Sequence, residues 1–115
     1  MDTATAGKRL EQARDELDRS IAVLRGEKPD GSEADSPHDP ADAGTRLSEA
    51  DRTEAVLASA STQRAQVLNA LRRIQEGTYG TCVDCAALIP EGRLEARPEA
   101  SRCVKCQSKW DRRHS

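Results

Sequence analysis

Leu10, Leu17 and Leu24 recur at seven-residue intervals, with Ala13 and Ile21 on the same side and Lys8, Arg9, Glu11, Asp15, Glu16 and Asp18 elsewhere. That pattern predicts a helix from about Thr5 to Arg25 with a coiled-coil-like seam about three heptads long. Arg14 falls in the seam and weakens it locally. Such a helix is marginal alone and needs a partner. A second periodic run supplies one. Ala50, Leu57, Ala60, Val67, Leu71 and Ile74 follow a 3–4 spacing, with Leu68 beside them and Gly77 as a suitable stop just past the end. Asp39-Pro40-Ala41-Asp42 and Ser48-Glu49-Ala50-Asp51 are rival helix starts, so this helix begins between residues 39 and 48. About thirty residues at ~1.5 Å each make a rod of roughly 45–50 Å. Antiparallel pairing of the two helices gives a hairpin over residues 1–77. The apolar cluster at its base (Val67, Leu68, Leu71, Ile74) is expected to pack on Val83, Leu88, Ile89 and Leu94.

Between the helices the pattern stops. Gly26 to Gly44 holds Pro29, Pro37, Pro40 and Gly31, many acids and almost nothing apolar beyond Ala, which predicts a turn or flexible loop over 27–44 at the hairpin tip. Charge is segregated along the chain. Glu27 to Glu54 contains nine acidic and three basic residues, a balance of −6, whereas Arg93 to Ser115 contains seven basic and three acidic residues, a balance of +4. The net charge of −2 disfavours a general duplex-DNA binder, because phosphate neutralisation needs a net basic face. With 36% hydrophobic residues and no Phe in 115, the chain cannot build a large core, and a fold this poor in bulk needs a staple. No apolar run approaches the length of a membrane span.

The staple is legible over residues 78–115. Cys82-Val83-Asp84-Cys85, then seventeen residues, then Cys103-Val104-Lys105-Cys106 is the spacing of a four-cysteine zinc site. Each C-x2-C bend places two thiolates on one side of a turn, and two bends complete a tetrahedron. All four cysteines of the chain are used and no ligand position stays open, so the metal is structural rather than catalytic. Two disulfides would need an oxidising compartment and usually a signal peptide, and the start Met1-Asp2-Thr3-Ala4-Thr5-Ala6-Gly7 has no basic stretch followed by an apolar run. A redox pair would sit at a strand–helix junction of a βαβ unit, for which there is no pattern; iron is the remaining alternative. After Thr78-Tyr79-Gly80 a short hairpin and loops are expected, and the last cysteine pair should open a final helix from Cys103 to about Arg113. Trp110 is read as a cover for the helix base, Tyr79 as a packing residue, and His38 and His114 as residues without a ligand or catalytic role. The fold class is therefore mainly α: a helical hairpin with a small four-cysteine zinc module and a short C-terminal helix.

Tyr79-Gly80-Thr81-Cys82-x2-Cys85, then Ile89, then Arg93-Leu94-Glu95-Ala96-Arg97-Pro98-x-Ala100-x2-Cys103-x2-Cys106-Gln107 resembles the signature of the DksA/TraR family, bacterial zinc-finger regulators that bind RNA polymerase rather than DNA. The match is dense over about thirty residues. Beyond it the resemblance is architectural, with one further match: Asp39-Pro40-Ala41-Asp42-Ala43-Gly44 stands where the family carries Asp-x2-Asp-x-Ala at the hairpin tip. The resemblance implies one structural Zn2+ on Cys82, Cys85, Cys103 and Cys106, and a hairpin that enters the secondary channel of RNA polymerase. It further implies effector carboxylates on Asp39 and Asp42, and a basic dock that includes Arg93 and Arg97 as polymerase or nucleotide contacts.

The chain departs from the family pattern in several places. Gly44 replaces the tip Ala, and Ala86 stands where a Gly usually follows the first cysteine pair, a position that often wants positive φ. The first helix starts almost at Met1, whereas typical DksA proteins carry a larger N-terminal part. Sensitivity to guanosine tetraphosphate involves basic groups in the family; Arg97 matches one, but Gln66 and Gln107 stand where lysines are expected, which counts against a response to that nucleotide.

The expectation is a monomeric, cytoplasmic transcription regulator acting on RNA polymerase, without direct DNA or membrane binding. The alternatives are a zinc-stabilised hairpin adaptor for another protein and a zinc ribbon that binds nucleic acid through its basic tail. An enzyme is the least supported reading, because there is no open metal position, nucleophile–base pair or Gly-rich phosphate loop.

Overall fold

A computed structural model describes residues 1–26 and 43–114. It contains α1 (Thr3–Leu24), α2 (Ala43–Glu76), α3 (Glu91–Ala96) and α4 (Val104–Arg113). Among the described residues the only β-structure is one isolated antiparallel bridge between Thr81 and Leu88. The two long helices pack against each other as the periodicity requires, and α2 begins at Ala43, inside the expected window. The radius of gyration is 18.3 Å, well above the ~13 Å of a compact chain of this length.

α1 starts two residues earlier than the pattern suggests because Asp2 caps it. Its Oδ1 accepts the Thr5 N–H at 2.6 Å, and that N–H holds the carboxyl below its usual range. Gly26 (φ 81) and Gly77 (φ 77) end α1 and α2 in the left-handed conformation that Gly adopts without penalty.

The hairpin core is Leu10, Val67 and Ala70, with Ala13, Leu17, Leu71, Ile74 and Tyr79 packed around them. Ala6, Ile21 and Ala60 extend the buried seam. Arg14 is half-buried in that seam and turns to Asp15 at 3.4 Å. An ion pair between Arg64 and Asp18 ties α2 to α1. Ala50, expected on the seam, is exposed, because α2 is twelve residues longer than α1.

The expected packing at the base is corrected by the structure. Leu68, Val83 and Leu88 are exposed, the last by 81%. Leu68 lies about 100° around the helix from the Val67–Leu71–Ile74 face. Residues on either side of the bridge alternate as in a strand, so Cys82 and Ile89 point inward while Val83 and Leu88 point out. Two small cores result instead of one. The second is Cys82, Ile89 and Leu94, with Met1, Ala100, Cys103 and Cys106 around it, and Tyr79 belongs to both. The Tyr79 hydroxyl donates to the Pro98 carbonyl at 2.9 Å, and burial raises its pKa above 10.

Candidate metal centre

The first cysteine pair sits in a tight turn. The Cys82 N–H donates to Ala87 O at 2.8 Å and the Ala86 N–H to Cys82 O at 3.0 Å. Closing it requires a left-handed residue, and Ala86 takes that role with φ 63. The second pair straddles the start of α4, with Cys103 at the N-cap position and Cys106 in the first turn. The Val83 N–H donates to Ser101 O at 2.9 Å and Arg102 Nε to Asp84 Oδ2 at 2.8 Å, so backbone and side chain both tie the two turns together.

The four Sγ atoms lie within 4.8 Å of one another, and Cys85 Sγ is 3.8 Å from Cys103 Sγ. A zinc tetrahedron with ~2.3 Å bonds has an S–S edge of about 3.8 Å, so the observed separation suits zinc and is far too long for a disulfide. Burial pushes the Cys82 thiol up, but N–H groups of Cys103, Cys85 and Asp84 directed at it outweigh that and bring it down to about 6. The Cys106 N–H holds Cys103 below the usual thiol range, and Cys106 itself is pushed up to about 12 as it donates to Cys103. Four sulfurs this close do not all ionise without a cation among them. The donor set is that of one structural Zn2+ with every coordination position taken by protein.

The centre is braced against the hairpin by groups that periodicity does not reveal. Arg73, in the last turn of α2, is only 7% exposed and donates through Nη2 to Thr78 O at 2.8 Å and to Thr81 O. Arg9 Nη2 donates to Glu95 O at 2.8 Å, joining α1 to α3. α3 itself lies where loops were expected; Pro90 followed by Glu91 is the start signal that could have found it.

Arg93 is half-buried with Nε on Arg102 O at 2.9 Å. Arg97 is exposed and pairs with Glu99 at 3.8 Å. Both line a cleft of about 400 Å³ between α2 and the zinc module, together with Gln66, Gln107 and Trp110. Trp110 is half-buried there, under the Arg102 guanidinium (5.3 Å) and stacked on His114 (3.8 Å). Asp39 and Asp42 lie outside the described residues.

A long helical hairpin closed at its base by a four-cysteine zinc module defines a class of zinc-stapled rod proteins. Comparison with known proteins narrows it. Residues 77–110 match the family model described as the prokaryotic dksA/traR C4-type zinc finger. An uncharacterised protein of Aquifex aeolicus is 33% identical over 109 residues, 91% of this chain and 72% of that protein. The RNA polymerase-binding transcription factor DksA of Escherichia coli K12 is 29% identical over 100 residues, 84% of this chain. The solved structure of the transcription factor DksA2 from Pseudomonas aeruginosa superimposes with a TM-score of 0.77 at 26% identity, covering 97% of this chain and 84% of that one. The chain belongs to the DksA/TraR C4-type zinc-finger family. It spans 60% of the length of the Escherichia coli relative and, with the 41% identical DksA of Caulobacter vibrioides, 34%.

Proposed function

We propose that this chain is a transcription regulator that binds bacterial RNA polymerase through the secondary channel. On this reading the hairpin carries the carboxylates of Asp39 and Asp42 toward the active centre. The observation that carries it is the 34-residue α2 standing on a zinc-stapled base. At 1.5 Å per residue α2 is a rod of roughly 50 Å, long enough to deliver charge into a tunnel while the wider base stays outside. The relatives named as RNA polymerase-binding transcription factors support the choice of partner. The basic stretch from Arg93 to Arg113, Arg97 included, is assigned to the dock. Gln66, Arg97 and Gln107 share one cleft, and its two neutral amides leave guanosine tetraphosphate a weak site.

Purified protein should co-elute with core polymerase. Asp39→Asn combined with Asp42→Asn should abolish its effect on transcription in vitro while leaving co-elution intact. Normal regulation by the double variant would refute the tip mechanism. Failure to capture polymerase subunits from a bacterial lysate would favour an adaptor for another protein.

A further inference from the structure

The two cysteine turns share an arrangement that ligand spacing does not imply. The residue immediately before each pair has its carbonyl held by a guanidinium. Arg73 Nη2 donates to Thr81 O, just ahead of Cys82, and Arg93 Nε donates to Arg102 O, just ahead of Cys103. Among the described residues no carboxylate lies within 4 Å of either guanidinium; exposed arginines such as Arg9, Arg19 and Arg25 also have none, but the other partly covered ones, Arg14, Arg64 and Arg102, each have one. Arg73 is also the one buried charged residue of the described chain.

A buried cation without a partner costs several kcal/mol, so its compensation has to be found. Helix capping accounts for part of the Arg73 geometry, because a basic group near a helix C-terminus is favourable and Thr78 O lies at that end. It does not account for Thr81 O, which lies beyond the helix, nor for Arg93, which sits near the start of the six-residue α3. Zinc bound by four thiolates carries a net charge of −2, and a bound ion with its ligands is often the largest local charge. Two guanidinium groups supply +2.

Arg102 C=O and Cys103 N–H belong to the same peptide unit, so the Arg93 guanidinium acts directly on the backbone of a ligand residue.

We propose that Arg73 and Arg93 are the counter-charges of the tetrathiolate zinc centre, one for each cysteine pair, and that zinc affinity depends on their charge. This rests on the metal centre and is independent of the polymerase reading.

The test is zinc affinity of the full chain by competition with a chromophoric chelator at fixed pH, for R73Q, R73K, R93Q and R93K. Helical circular dichroism checks that each zinc-loaded variant is folded. Gln keeps a donor for the carbonyl and loses the charge; Lys keeps the charge and loses the fork. Each Gln variant should lose affinity about ten- to hundredfold, the range seen for groups that support metal ligands. Each Lys variant should retain most of it. Gln variants that bind zinc as tightly as the parent, or Lys variants that lose as much as Gln, would overturn the proposal. Should R73Q not fold, the half-buried Arg93 decides the question.

Discussion

Ala86 is the one non-Gly residue among those described with a positive φ, at 63, and its Cβ sits where the turn after Cys85 would accept none without cost. A left-handed conformation costs a non-Gly residue roughly 1–2 kcal/mol, and part of any relief is returned because Gly is freer in the unfolded chain. Ala86→Gly is therefore expected to stabilise the zinc-loaded protein by about 1 kcal/mol, read as a higher urea midpoint at unchanged slope. An unchanged or lower midpoint would show that the turn accommodates Ala freely. The need for positive φ was legible at this position only through the family resemblance, which places a Gly there; C-x2-C spacing alone does not require it, since the second pair runs straight into α4. The burial of Arg73 was not. A basic residue in a helix's last turn ordinarily faces solvent, and only the docking of the Thr78–Thr81 segment covers it.

At the scale of elements, α1 and α2 meet along a narrow stripe of small and medium side chains. Leu10 is fully buried at its centre. Leu10→Ala should cost about 2–5 kcal/mol, the range for deleting a buried Leu from a core that relaxes only in part. Leu68→Ala, on a residue with 38% of its surface exposed, should change stability by about 0.5 kcal/mol or less. Chemical denaturation of both variants separates the faces; equal losses would mean that the seam is misassigned. Heptad counting identified the stripe in α1 because every seventh residue is Leu. It overreached in α2, where Leu68 and Ala50 are as apolar as their neighbours and only the position and length of α1 decide which of them is covered.

At the scale of the whole molecule, the zinc centre joins two cores, neither of which has the bulk to stand alone. Tyr79 packs in both, and Arg73 and Arg9 fasten hairpin to module. Binding free energy at such a site is folding free energy. Chelation, or Cys103→Ser, should therefore melt residues 78–114 and fray the base of the hairpin. The expected readout is a loss of helical circular dichroism that returns on adding zinc to the chelated parent. Full helicity without metal would show that the hairpin holds itself. The geometry also bears on the proposed action, since a stiff rod on a wide base transmits position from a docking surface to a remote tip only while that base is intact.

What the sequence determined by itself was local or periodic: two long helices, a four-thiol zinc site, a short final helix and a segregation of charge. Each follows from spacing along the chain, 3.5 to 3.6 residues for a seam and two residues between ligands for a metal turn. What the tertiary structure decided was which apolar residues are covered, that the base holds two cores bridged by Tyr79, and that two arginines lie against the metal turns without a carboxylate. Those outcomes depend on which segments meet, whether they are eight or nine residues apart, as for the two arginines and the carbonyls they hold, or on opposite arms of the hairpin, as for Leu10 and Val67. Burial and charge compensation are properties of that meeting and not of either segment.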